Sequence, residues 1–208
     1  MCYLKYVFEG LVAVGTIAVA ILAIWGDWFR NKCASPKLII EPYNLRGNIT
    51  NIKKVHDIET ANSIRAIYYH LKVINLRKWA AAKNCQVVLK GIHRKGPDGD
   101  FHPYPLVVPI QYVWSPAEWA SIHQNISQDA ILDFGYVTEG GNLFIPSLYV
   151  MPNNFMGLIG PKMSVRYTLQ IVADNYTANN KYTYEVSWDG NFSDNPDIMA
   201  RSLIIKEI

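Results

Sequence analysis

Asp98, Asp100 and His102 alternate within the stretch Gly91–Tyr104, GIHRKGPDGDFHPY. An extended backbone points three such side chains the same way. If the stretch folds back on itself, His93 approaches from the other limb. Carboxylate oxygens and an imidazole on one face suit a divalent cation, and with it a metal-dependent hydrolase. The same residues also make a good turn, because Asp in Pro97-Asp98-Gly99-Asp100 can bond its own backbone. Asp174, Asn175, Asn179 and Asn180 raise the same pair of readings, calcium ligands or turn formers. We take both stretches as turns, assign no metal and no cofactor, and keep the hydrolase as the alternative. Trp114 and Trp119 supply a third chemistry. They bracket a short helix expected after Ser115, with Ser115 as N-cap, Pro116 first and Glu118 third. Exposed indoles there would stack on sugars, which makes a carbohydrate-binding module another alternative. Trp79 lies in the turn after the second strand.

Other catalytic signatures are missing from the sequence. The three cysteines form no C-x-x-C pair, and there is no H-E-x-x-H, G-x-G-x-x-G, P-loop or G-x-S-x-G pattern. The chemistry that remains is charge. Residues 45–95 hold 11 Lys or Arg against 2 Asp or Glu, whereas residues 96–208 hold 5 against 12. Lys53, Lys54, Arg77, Lys78, Lys83, Arg94 and Lys95 make a candidate surface for an acidic protein partner or for anionic lipid. Interleaving of the two stretches in the folded chain would instead cancel much of that charge. The net charge of +3 carries no specific nucleic-acid signal.

These residues must be positioned by the elements around them. With 208 residues, half of them hydrophobic, the chain has enough apolar surface for a packed core and is too short for a large multidomain enzyme. Three cysteines exclude a disulfide scaffold and suggest free thiols at Cys2, Cys33 and Cys85. Gly10 to Gly26 is 17 residues without a charge. As a helix it is roughly 25 Å long, at the short end of a membrane span. Tyr6 and Phe8 precede it and Trp25, Trp28 and Phe29 follow, rings that favour the headgroup level. The bulky, charged DWFRNK after it does not suit signal-peptide cleavage. We therefore expect a retained single-pass anchor over 1–26, a linker over 27–36 and one domain over 37–208. Arg30, Lys32 and Lys37 outnumber the basic groups upstream, which places the domain on the cytoplasmic side of a cell membrane. Four N-x-S/T sites, at Asn48, Asn125, Asn175 and Asn191, favour the other side if the source glycosylates proteins.

After Pro36 the apolar period changes from helical to two. Ile67, Tyr69, Leu71 and Val73 fall on one face of a strand, with Ala66, Tyr68, His70 and Lys72 on the other. Residues 84–91, 164–173 and 181–188 repeat the pattern. Weaker strands are expected at 37–41, 106–114, 130–137, 143–150 and 202–206, with long loops at 42–63 and 93–104. The fold class is all-β: an immunoglobulin-like sandwich of eight or nine antiparallel strands behind one transmembrane helix.

Tyr68–Leu89, YYHLKVINLRKWAAAKNCQVVL, resembles the opening of bacterial and archaeal immunoglobulin-like, adhesion-type domains. A strand ending in Asn is followed by a turn with small residues and a second alternating strand. Leu76 stands where that pattern has glycine. VRYTLQIVADNYTANNKYTYEV, residues 165–186, resembles their closing hairpin. The whole layout is similar to prokaryotic membrane-anchored proteins. The resemblance implies architecture rather than an activity. We expect a tethered, non-enzymatic binding module with a protein partner.

Overall fold

The computed structural model describes residues 2–33, 35–53, 63–106, 108–116, 123–176 and 179–208. Helix α1 (Cys2–Cys33) leads. The strands follow as β1 (Leu38–Lys53), β2 (Ser63–Asn75), β3 (Ala82–Lys95), β4 (Phe101–Tyr104), β5 (Ile110–Gln111) and β6 (Val113–Trp114). Next come β7 (Gln124–Ile126), β8 (Asp129–Thr138), β9 (Ile145–Pro146), β10 (Met163–Val172) and β11 (Lys181–Trp188). Helix α2 (Pro196–Ser202) and β12 (Leu203–Glu207) close the chain.

In α1 the stretch Lys5–Gly26 is long and apolar enough to cross a membrane, and none of it is buried against the rest of the protein. Its 22 residues are about 33 Å long as a helix. Thr16, the polar side chain within the uncharged run Gly10–Gly26, donates to the carbonyl of Val12 at 2.8 Å, so its hydroxyl needs no water. Tyr6, Phe8, Trp25 and Trp28 are all exposed at the two ends. The helix runs on to Cys33, through most of the stretch expected to be a linker.

Two antiparallel sheets make up the domain. The first has the order β1-β2-β8-β6, with β9 also on β8. The second has the order β12-β11-β10-β3-β4, with β5 and β7 also on β3. The alternating residues meet between them. Phe134 lies at the centre, its ring 5.7 to 6.0 Å from those of Tyr184, Tyr167, Phe144 and Tyr112. The chain changes sheets at the buried Tyr112: β5 pairs with β3 in the second sheet, and β6 pairs with β8 in the first.

Several boundaries differ from the sequence reading. The loop expected from residue 42 is strand as far as Lys53. As the edge of its sheet, β1 tolerates Pro42 and two register shifts, one between Pro42 and Asn44 and one between Asn44 and Asn48. Gly47 sits in this bulge at φ +78°, where a Cβ would lie 2.2 Å from the Ile67 side chain. The loop expected over 93–104 is a hairpin, because β3 continues to Lys95 and β4 returns from Phe101. The strand expected over 143–150 shrinks to Ile145–Pro146. Helix α2 was not expected, though Asn195-Pro196 is a start signal: the Asn195 side chain caps the amides of Asp197 and Ile198. The short helix expected after Ser115 falls on residues 117–122, outside the described ones.

Candidate functional site

The outer face of the first sheet carries the most enclosed polar cluster. His70 on β2 and Asp133 on β8 are register partners, and both are buried, at 7% and 3% exposure. Register shifts put them there, one in β2–β8 between Tyr69 and His70 and the others in β1. The β1 bulge swings Asn48 over the imidazole. Asn44 Nδ2 donates to Asn48 Oδ1 at 2.7 Å, and Asn48 Nδ2 meets His70 Nδ1 at 3.4 Å. With the Asn48 amide oriented this way, its Nδ2 faces Nδ1 of the imidazole. Nε2 is 3.1 Å from Asp133 Oδ1, which receives no aligned hydrogen bond. Both ring nitrogens thus face protein groups, which suits His70 to holding the cluster rather than to taking a substrate proton.

Around this floor lies a cleft of about 700 Å³, lined by Asn48, Thr50, Tyr68, His70, Ser115 and Asp133 among others. Tyr68 stacks on Tyr136 at 4.9 Å between centroids. Burial, with smaller contributions from Tyr136 and Asp133, pushes the Tyr68 hydroxyl up to about 12. It remains a neutral donor and acceptor at physiological pH. The cleft therefore offers one aromatic face and several hydrogen-bonding groups, a surface suited to holding a chain or a small polar molecule. Sequence reasoning put His70 and Tyr68 on the correct face. It missed Asp133 and Asn48, because only strand order and bulges bring them together.

The residues singled out for metal binding make turns. Asp98 Oδ1 accepts from the amide of Asp100 at 3.1 Å, and Asp98 Oδ2 lies 2.7 Å from His102 Nε2. The backbone of Asp100 and the imidazole of His102 hold the Asp98 carboxyl below its ordinary value. Among the described residues no group of three or more His, Cys, Asp or Glu stands close enough to share a metal ion. The side-chain oxygens of Asp174 and Asn175 are engaged with the start of β3. Asn175 Oδ1 accepts from the amide of Lys83 at 2.9 Å, and Asp174 Oδ2 accepts from Asn84 at 2.5 Å. Trp114 is 3% exposed and faces the core, so its ring is not offered to a sugar; Trp119 lies outside the described residues.

The basic residues do not form one patch. Arg77, Lys78 and Lys83 stand at the end of the domain where β1 begins, since Leu38 pairs with Asn75. Arg94 and Lys95 stand at the other end of β3, about 36 Å away by strand rise. There Arg94 donates to the Met163 sulfur at 3.2 Å and Lys95 sits 6.0 Å from the Phe101 ring centroid. The side chain of Lys53, and Lys54 altogether, lie outside the described residues. Elsewhere the basic and acidic halves of the sequence do interleave. Arg46 pairs with Asp197, Arg65 with Glu139 and Asp194, and Lys72 with Asp129. Among the described residues, no acidic side chain pairs with Arg77, Lys78 or Lys83.

No protein-family model matches this chain. No curated protein matches it either. The functional reading therefore rests on the geometry.

Proposed function

We propose that this protein is a membrane-tethered, non-enzymatic binding module. One apolar helix crosses the membrane once, and an immunoglobulin-like sandwich on its cytoplasmic side engages a protein partner. The observation that carries this reading is α1: it holds 22 apolar-rich residues, Lys5–Gly26, with their side chains turned outward, and the helix itself ends four residues before the first strand of a folded domain. An apolar surface of that length needs lipid around it. Tethering raises the local concentration of the domain for any partner at the same membrane. The cleft of Asn48, Tyr68, His70 and Ser115 beside the bulged edge strand is the recognition surface, because it combines an aromatic wall with the Tyr68 and Ser115 hydroxyls on one face.

Thiol labelling tests the tether. Cys2 and Cys33 flank the helix, while Cys85 is buried and its thiol is pushed up to about 12, so it stays silent in the folded protein. In intact cells a membrane-impermeant maleimide should label Cys2 and spare Cys33. The reverse pattern would place the domain outside, and labelling of both would sink the single crossing. The recognition surface is tested by a photo-crosslinking residue at Thr50, with Lys90 on the second sheet as the comparison. A discrete crosslinked protein from Thr50 alone is expected, and equal or absent crosslinking at both positions overturns the assignment.

A further inference from the structure

The turn between β2 and β3 displays Leu76, Arg77, Lys78 and Trp79. Trp79 is 76% exposed, the most of the large apolar side chains described in the domain, and Leu76 beside it is 48% exposed. The display is fixed in place. Asn75 is buried at 1% exposure and ties the turn from beneath. Its Oδ1 accepts from the amides of Arg77 at 3.0 Å and Lys37 at 3.3 Å, and its Nδ2 donates to the carbonyl of Ala80 at 2.7 Å. The turn also sits against the end of the anchor. Arg77 Nη1 donates to the carbonyl of Ser35 at 3.1 Å, two residues beyond α1, and the amide of Leu76 donates to Lys37 at 2.8 Å.

We infer that this turn is a second membrane contact. Leu76 and Trp79 enter the interfacial layer, and Arg77 and Lys78, with Lys37 and Lys83 beside them, meet the headgroups of anionic phospholipid. The inference rests on α1 spanning that same bilayer. Three observations converge on lipid. The chain itself holds the turn within a few residues of the helix end. An indole next to cations is the composition of a bilayer interface. Among the described residues these cations have no acidic partner, whereas Arg46, Arg65 and Lys72 from the same stretch of sequence do, and Arg94 and Lys95 at the far end contact a thioether and a ring. Asp174, whose amide donates to the Lys83 carbonyl, has its carboxylate engaged with Asn84. Each basic side chain near an anionic surface strengthens attraction about fivefold. The domain would thus be held in one orientation, with its far end and the His70 cleft turned toward solvent.

The test uses the full chain in vesicles of phosphatidylcholine, with or without phosphatidylglycerol. Cys2→Ser and Cys33→Ser leave a single engineered thiol, at Ala81 in the turn or at Asp100 at the far end, to carry a fluorophore. Headgroup nitroxide lipids then report contact by quenching. Quenching at Ala81 but not at Asp100, stronger in the anionic vesicles, is the expected result. Arg77→Gln with Lys78→Gln should remove the anionic gain, and Trp79→Ser should weaken quenching in both lipids; thermal melts confirm that each variant is folded. Quenching at Ala81 that ignores both lipid charge and these substitutions overturns the inference and leaves the basic turn to an acidic protein. An alkaline wash followed by flotation separates the two failures. A chain stripped from the vesicles sinks the anchor and the docking together. A chain that floats with Ala81 unquenched sinks the docking alone.

Discussion

At the end of the sandwich far from α1, Arg65 lies between Glu139, at 2.5 Å, and Asp194. Asp98 and His102 close the neighbouring hairpin, and Arg166 lies 3.7 Å over the Phe101 ring while bonding Glu185 at 2.9 Å. At the end beside α1, Arg77, Lys78 and Lys83 find no carboxylate among the described residues, and a tryptophan and a leucine stand exposed among them. Both ends draw on the same basic stretch of sequence: at the far end Arg65 is neutralised by two carboxylates while Arg94 and Lys95 contact a thioether and a ring, and at the near end three cations stand beside an exposed indole. Surface ion pairs contribute little to stability, so the contrast concerns recognition more than folding.

The largest way to disturb this contrast is to release the pin. Asn75→Ala strips buried backbone groups of their partners and should cost about 2–4 kcal/mol in urea unfolding. In the vesicle experiment it should also broaden the Ala81 quenching into a distribution. A variant with full stability would show that the turn is held by its backbone alone.

Arg65→Gln acts at the opposite end. It leaves Glu139 and Asp194 facing each other without their cation and should lower the urea midpoint modestly, most at low salt. Quenching at Ala81 should not change. If it does, the ends are coupled through the sheets.

A smaller effect comes from pH. The hydrogen bond and charge of Arg65 hold the Glu139 carboxyl below its ordinary value. A depressed folded value means that the interaction stabilises the protein above the ordinary carboxylate range and is lost as pH falls through the folded value. Urea midpoints of the wild type and Glu139→Gln should therefore differ at pH 7 and converge in acid. A gap that widens in acid would contradict the pairing.

Lys83→Gln should change least, within about 0.5 kcal/mol of wild-type stability, because its exposed ammonium has no partner to lose. Its effect should appear only as weaker quenching in anionic vesicles.

Much of the fold could be read from the residues. The apolar run to Gly26 is helical, and strands β2, β3, β10 and β11 follow their period-two patterns closely. Trp79 was placed in its turn. The clearest misreading was of β1, whose Pro42, Gly47 and bulges mimic a loop because an edge strand need satisfy hydrogen bonds on one side only. Of the cleft, His70 and Tyr68 could be assigned a face, but Asp133 could not be assigned to His70. The basic residues were grouped by their nearness in sequence, although a strand of 14 residues carries Lys83 and Lys95 to opposite ends.

By itself the sequence determined the N-terminal helix, the strands with a clean period of two, and which face of each of those strands is apolar. Those properties depend on neighbours a few residues apart. Only the tertiary structure decided that Trp114 is core, that Asn75 pins the β2–β3 turn, and that Asp133 meets His70. It also decided which cations are neutralised. Each of these depends on sheet order and register, where a shift of one residue exchanges every partner.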